Sequence, residues 1–294
     1  MVGVVIPVRD RAAMVVEAIA SVAAQTYRDV ELVVVDDGSS DESASAAERA
    51  LAAARLVGRV LRLPHGGVAA ARNAGAATLD ARWIAFLDSD DCWLPTKLAR
   101  QLEWLAAHPT YRIAQTGERW VDRGRHRNPR LWHRKEERLF LRSLERCLVS
   151  PSAVVVARDL FIEHGGFDEA FRVCEDYELW LRVTARELVG LVPETLVVKR
   201  GGHAGQLSRS SWGLDRWRVA ALAKLLATVP VTRAERAAAI AVMRRKCAIL
   251  ASGADRRGRA DEADRYRALA DAAETIAGVG DDDVGAARSA AGAV

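Results

Sequence analysis

Apolar residues in this chain come in short unbroken runs that end in polar or acidic positions, separated by stretches whose apolar residues recur three or four apart. Val2 to Val8 is the first run, closed by Pro7 and the polar turn Arg9, Asp10 and Arg11. Met14, Ile19, Val22 and Ala23 then fall at roughly helical spacing as far as Gln25-Thr26-Tyr27, and Val30 to Val35 is the second run. Runs without polar alternation fit strands buried on both faces, so this order predicts a right-handed βαβ unit in a parallel sheet covered on both sides. An alanine-rich helix from Ser43 to about Arg55, a strand at Val60 to Leu63 and another at Trp83 to Leu87 continue the pattern.

The second half is less regular. A helix is predicted over Pro95 to Ala107, with Leu98, Leu102 and Leu105 on one side and a stop near His108-Pro109. The stretch to Arg146 has poor periodicity and reads as strand and loop with a helix near its end. Ala153 to Val156 reads as a strand, Arg158 to His164 as a short helix ended by Gly165-Gly166, and Leu188 to Val198 as strands. Gly201 to Ser208 is a polar, glycine-rich loop of the sort that closes over a site. From Leu214 the chain is helical, with Ala237 to Ala251 and Ala260 to Ile276 read as an antiparallel pair around Gly253 to Gly258. The segment from Gly278 is small, polar and alanine-rich, a composition that predicts disorder.

Acids collect where the buried strands end. Asp36 and Asp37 follow the second strand, and Asp88, Asp90 and Asp91 follow Trp83 to Leu87. The carboxyl edge of an open α/β sheet is where ligands bind. Carboxylates brought together there carry a desolvation cost that a hard cation with oxygen ligands offsets, which points to Mg2+ or Mn2+. Asp91 reads equally as a ligand and as a cap of the helix near Pro95. Gly66-Gly67 ahead of a helix can turn backbone N–H groups toward a phosphate, with Arg72 and Asn73 one turn further in, although the spacing matches no established phosphate loop. Glu175 and Asp176 fall near a helix N-terminus, where acids favour the dipole, and composition alone prefers that structural role.

Bulk properties narrow the class. With 294 residues, half of them apolar, the chain is globular. A formal charge of only +4 and six scattered histidines argue against a dedicated nucleic-acid binder. Between Arg112 and Arg146, however, eleven Arg or Lys stand against five acids, a local excess suited to an anionic substrate or lipid surface, or simply to a solvated face. Cys92, Cys147, Cys174 and Cys247 lack metal-ligand spacing, which fits a reduced cytoplasmic protein. Met1 runs straight into an apolar strand without the pattern of a signal peptide, and no apolar run is long enough to span a membrane, so any membrane contact is expected to be peripheral.

Two chemistries use acids at strand ends: a metal holding a nucleotide diphosphate while a separate carboxylate acts as base, or phosphorylation of an aspartate beside a metal. The second wants acids after the first strand, where this chain has Pro7-Val8-Arg9, and no DxDxT motif is present. A catalytically silent nucleotide-sugar binding module is a further alternative.

VVIPVRDR, SVAAQTYRDVELVVVDDGSSDES, GGVAAARNAG, WIAFLDSDDCWLPTKLARQ and GGFDEAFRVCEDYELWLR, in this order and spacing, resemble the family 2 glycosyltransferases of GT-A fold over roughly residues 2 to 210. The resemblance implies a Rossmann-like, mostly parallel sheet flanked by helices and an inverting transfer from a nucleotide-diphosphate sugar, most often a UDP-sugar. The acceptor hydroxyl would belong to a cell-surface polysaccharide, glycolipid or glycoconjugate precursor, in some cases lipid-linked. It places Pro7, Val8, Arg9, Asp37 and Arg72 against the nucleotide, with Asp37 on the base. Asp88 and Asp90 become the DxD that touches ribose and holds Mn2+ or Mg2+, His203 stands where some GT-A enzymes place a late metal or diphosphate ligand, and Asp176 becomes the catalytic base. Family members commonly read PVYN where this chain has Pro7-Val8-Arg9-Asp10. The expected organisation is a GT-A domain over 1–210, with a nucleotide-sugar half to 108 and an acceptor half from 109, a helical extension over 211–277 and a tail over 278–294.

Overall fold

The computed structural model describes residues 1–127, 135–203 and 213–278. Strands β1 (Val2–Val8), β2 (Val30–Asp37), β3 (Gly58–Leu63) and β4 (Trp83–Phe86) run parallel in the spatial order β3-β2-β1-β4. Helices α1 (Ala12–Ala23), α2 (Ser43–Ala54) and α3 (Val68–Ala77) connect them. Every residue of β1 is buried. Successive side chains of a strand point to opposite faces, so an all-apolar strand feeds two cores. Val5, Val33 and Val35 pack with α3 on one face, while Val4, Ile6, Leu32 and Val34 pack with α1 on the other. The α3 face depends on Gly75: a Cβ there would lie 2.5 Å from Val5 Cγ1 and 2.9 Å from Val35 Cγ2, so the helix backbone rests directly on the sheet. The outer strand β3 is only partly buried and carries Arg59 and Arg62, paired with Glu31 and Glu48, a charged edge that discourages further strand pairing.

Beyond β4 the sheet is mixed. β8 (Val154–Ala157) pairs antiparallel with β4, β6 (Ile113–Asp122) pairs antiparallel with β8, and β9 (Gly190–Gly201) runs parallel to β6. The two-residue strand β5 (Cys92–Trp93) closes the far edge against β9, and β7 (Arg125–Arg127) folds back on β6. Neither β5 nor β7 is long enough to leave a periodic signal. The β6–β9 register shifts between Thr116 and Gly117 and again between Gly117 and Glu118, which bends the strand as it leaves the core. Helices α4 (Lys97–Ala107), α5 (Phe140–Ser143), α6 (Arg158–Glu163) and α7 (Glu175–Thr184) complete this part of the chain. α4 begins two residues after Pro95, with Thr96 as its N-cap.

The chain divides into two compact units, Met1–Leu139 with Cys147–Trp212, and Phe140–Arg146 with Gly213–Val294. The expected boundary near residue 210 assigns Phe140–Arg146 to the first unit, whereas this segment packs with the second. In the second unit lie α8 (Leu214–Thr228), α9 (Arg233–Asp255) and α10 (Ala260–Gly278). α9 starts earlier than its apolar pattern suggests because Thr232 and Glu235 form a reciprocal capping box. Ala251, Ala254 and Ala263 let α9 and α10 approach closely. Among the described residues no helix is long and apolar enough to cross a membrane. Arg130, Trp132, Arg134, the loop from Ala204 to Ser208 and the tail beyond Gly278 lie outside the described residues.

Candidate active site

The parallel strands deliver their acids to one edge. Asp37 ends β2, and its carboxylate is wrapped by the loop that leads into α3: Gly66 N–H donates to Oδ1 at 2.7 Å, Gly67 N–H to Oδ2 at 3.0 Å, and His65 Nδ1 lies 2.9 Å from Oδ2. Gly67 adopts φ +96°, which lets both N–H groups face the carboxylate before the helix begins. The Gly66-Gly67 pair expected to face a phosphate thus points its N–H groups at Asp37. Pro7 and Val8 are the buried last residues of β1, beside Val35 and Asp36. Arg9 is exposed and hydrogen-bonds His65, so Arg9, His65 and Asp37 form one group. Asp10, in the left-handed region at φ +50°, accepts from Ser40 N–H at 2.6 Å; that bond and the Ser40 hydroxyl hold its carboxyl below the ordinary range.

The second cluster follows β4. Asp88, Asp90 and Asp91 each offer a carboxylate oxygen within 4.8 Å of the others. Burial works to raise the Asp88 carboxyl, and Arg72, Lys199 and Arg11 hold it below its ordinary value. Asp90 Oδ2 lies 2.8 Å from His203 Nε2 and 3.2 Å from Arg11 Nη1. Asp91 is buried; its Oδ2 accepts from the Ser152 hydroxyl at 2.7 Å and its Oδ1 from Arg200 N–H at 3.0 Å. Of the two roles open to Asp91, helix capping is not the one it plays, since both its oxygens are engaged by Ser152 and Arg200 and Thr96 holds the N-cap position of α4. Burial, with Asp88 and Asp90 adding to it against the opposing pull of Lys199, pushes the Asp91 carboxyl up to about 7. Three crowded carboxylates beside one imidazole are a hard, oxygen-rich donor set that fits Mg2+ or Mn2+.

Arg72 joins this cluster to the third. It is 3% exposed, Nη2 donates to Asp88 Oδ1 at 2.7 Å and Nη1 to Glu175 Oε1 at 2.6 Å, and its guanidinium lies 5.0 Å from the centre of the Phe167 ring. A planar guanidinium can hold two carboxylates at fixed separation, which a lysine cannot. Glu175 opens α7 directly after Cys174, which takes φ +61°. Burial and the adjacent Asp176 push its carboxyl up to about 7, against Arg72. Asp176, the next residue, is half-buried; its Oδ1 accepts from Tyr177 N–H at 2.7 Å, and its carboxylate reaches the Cys147 thiol, which burial and then Asp176 push well up. Glu175 and Asp176 thus both lie in the first turn of α7, as a helix-dipole role requires, while Glu175 also meets Arg72 and Asp176 meets Cys147. His65, Ser152, Lys199 and Arg200 carry no motif in the sequence, and Arg11 ends VVIPVRDR without an assigned role; they are recognised here only by what they touch.

An α/β sheet that gathers strand-end acids, a carboxylate triad and a helix-borne carboxylate at its carboxyl edge has the architecture of the GT-A class. The chain belongs to glycosyl transferase family 2, whose model matches residues 3–165. It is 28% identical over 217 residues to an uncharacterized glycosyltransferase of Rickettsia prowazekii, covering 72% of this chain and 67% of that protein. It is 30% identical over 218 residues to the O-antigen biosynthesis protein RfbC of Myxococcus xanthus, covering 73% of this chain but 17% of that one. For a Rickettsia felis glycosyltransferase the match spans 32% of the relative's length, so the chain corresponds to only part of several relatives. Among solved structures, Staphylococcus aureus TarS with UDP-GlcNAc superposes with a TM-score of 0.63 at 17% identity, covering 93% of this chain and 91% of that one. The mannosyltransferase PcManGT from Pyrobaculum calidifontis, with GDP-Man and Mn2+, gives 0.59 at 19% identity, covering 95% and 86%. These two similarities bear on fold alone.

Proposed function

We propose that this chain is a metal-dependent, inverting glycosyltransferase that moves a sugar from a nucleotide-diphosphate sugar, most often a UDP-sugar, to an acceptor hydroxyl in cell-surface polysaccharide, glycolipid or glycoconjugate synthesis. The observation that carries this reading is the Arg72 bridge, which ties Asp88 to the residue next to Asp176. Asp37, with Arg9 and the β1 end at Pro7 and Val8, would receive the base, and Arg72 would orient the donor acids. Asp88 and Asp90, with His203, would hold Mn2+ or Mg2+, which neutralises charge on the departing diphosphate. Asp176 takes the proton of the attacking hydroxyl as its oxygen bonds to the anomeric carbon and the sugar–phosphate bond breaks, the electron pair leaving with the diphosphate. One displacement by one base inverts the anomeric centre.

The test is a panel of nucleotide sugars, including UDP-GlcNAc, UDP-glucose and GDP-mannose, scored for thermal stabilisation with Mn2+ and with EDTA. The reading expects metal-dependent stabilisation by at least one; stabilisation by none, or the same with EDTA, contradicts it. A cytoplasmic location at the inner face of the membrane fits the exposed Arg233, Arg244, Arg256 and Arg259 of the second unit. Flotation with anionic vesicles should retain the protein at low salt and release it at high salt; no retention on anionic vesicles contradicts the contact.

A further inference from the structure

One more charged cluster is buried in the first unit. Glu118 stands on β6 just past its register shifts, with a side chain 7% exposed. Lys135, 11% exposed, brings Nζ to 3.5 Å from Glu118 Oε1. The Trp120 ring N–H donates to the other oxygen, Oε2, at 3.2 Å. Oε1 and Lys135 Nζ face each other as an ion pair without a well-formed hydrogen bond among the described residues, and the Ser150 hydroxyl also reaches the Glu118 carboxylate. A buried polar atom left in that state costs about 1–3 kcal/mol, more when charged, so such a pair calls for a completing group. Burial raises the Glu118 carboxyl, but Lys135 and Lys199 hold it below its ordinary value; burial in turn lowers the Lys135 ammonium, against the pull of Glu118.

The pair borders the transfer site on two sides. Lys199, opposite Trp120 in the β6–β9 ladder, donates to the Ser150 hydroxyl at 2.9 Å and lies 3.5 Å from Asp91 Oδ2, so the cluster reaches the carboxylate triad. On the other side, the Cys147 thiol interacts with both Lys135 and Asp176.

The chemistry selects the ligand. An ammonium only donates hydrogen bonds and an ionised carboxylate only accepts them, whereas a hydroxyl does both. A phosphate or carboxylate would suit Lys135 and be repelled by Glu118 beside it. We propose that Glu118 and Lys135 recognise a vicinal diol of a sugar or polyol, Lys135 donating to one hydroxyl oxygen and Glu118 Oε1 accepting from its neighbour. This rests on the transferase reading above, in which the diol arrives on the transferred sugar or on the acceptor.

Removing one charge would strand the other, so the test is the neutral double variant Glu118→Gln/Lys135→Gln. Affinities for UDP, GDP, UDP-GlcNAc and GDP-mannose, and binding of ribitol to the donor-loaded protein, are compared with those of the parent. A loss of about tenfold or more for the nucleotide sugar, with the nucleoside diphosphate unchanged, assigns the diol to the transferred sugar. An unchanged donor with ribitol binding weakened to the same degree assigns it to the acceptor. Changes below about twofold in both overturn the proposal. Glu118→Asp, which keeps both charges and withdraws the carboxylate by one methylene, reads the same pattern at smaller amplitude should the double variant not fold. A parent that binds none of the four nucleotides fails the transferase reading itself and takes the proposal with it.

Discussion

The two sides of the candidate site are built in different ways. On the side proposed to hold the donor, Asp37 and Asp88 sit at or just beyond the ends of buried parallel strands, so strand and acid are contiguous in the chain. On the other side, Asp176 lies in the first turn of a helix, Glu118 and Lys199 come from paired strands far apart in sequence, and Glu175 meets Arg72 across 103 positions. Local order fixes the first set; only tertiary contact fixes the second. The bridge through Arg72 makes the two sides a unit, and removing parts of it in turn should separate their contributions.

The largest effect is expected at Asp176. Asp176→Asn should reduce transfer by about 10²–10⁴-fold, the range of a lost general base, in a steady-state assay of nucleoside diphosphate release. Arg72→Met comes next, because it leaves the buried Glu175 without its counter-ion and the partly buried Asp88 without the nearest of its cations. It should cost about 3–5 kcal/mol in denaturant unfolding, and Arg72→Lys should recover only part of that.

Glu175→Gln is predicted to act through pH. The Glu175 carboxyl is raised in the folded protein from 4.5 to about 7, chiefly by burial and then by Asp176. The folded state therefore holds a proton that the unfolded chain has already released, and this group's contribution to stability falls as pH rises from about 4.5 to 7 and is flat above. Glu175→Gln should flatten that part of the parent's stability profile, measured by thermal unfolding across the window; an unchanged slope contradicts the assignment. The smallest effect lies in the second unit, where Thr232→Ala breaks the capping box. It should cost about 1 kcal/mol and leave donor affinity unchanged.

The same division explains what could be read in advance. The parallel strands, α1 to α3, and the acids Asp37, Asp88 and Asp90 were legible because unbroken apolar runs and the polar residues after them lie side by side in the chain. Asp91 was ambiguous because an aspartate before a proline can cap a helix or face a cation, and only its bonds to Ser152 and Arg200 decide against the cap. β5 was invisible because two residues, Cys92 and Trp93, have no period; their strand character comes from β9. Phe140–Arg146 was assigned by its place in the chain, while its packing lies with the second unit. Lys97, the first residue of α4, is fully buried, with Nζ 4.1 Å from the centre of the Trp93 ring. Burial of a cation by its neighbours leaves no local mark.

The most direct test of the division of labour is calorimetric titration of UDP-GlcNAc, with Mn2+ and with EDTA, into the parent, Asp90→Ala and Asp176→Asn proteins. The structure predicts that Mn2+ tightens binding to the parent and to Asp176→Asn alike, and that Asp90→Ala loses this tightening. Equal loss in both variants, or a parent indifferent to Mn2+, would contradict a site in which Asp90 serves the donor and Asp176 the acceptor.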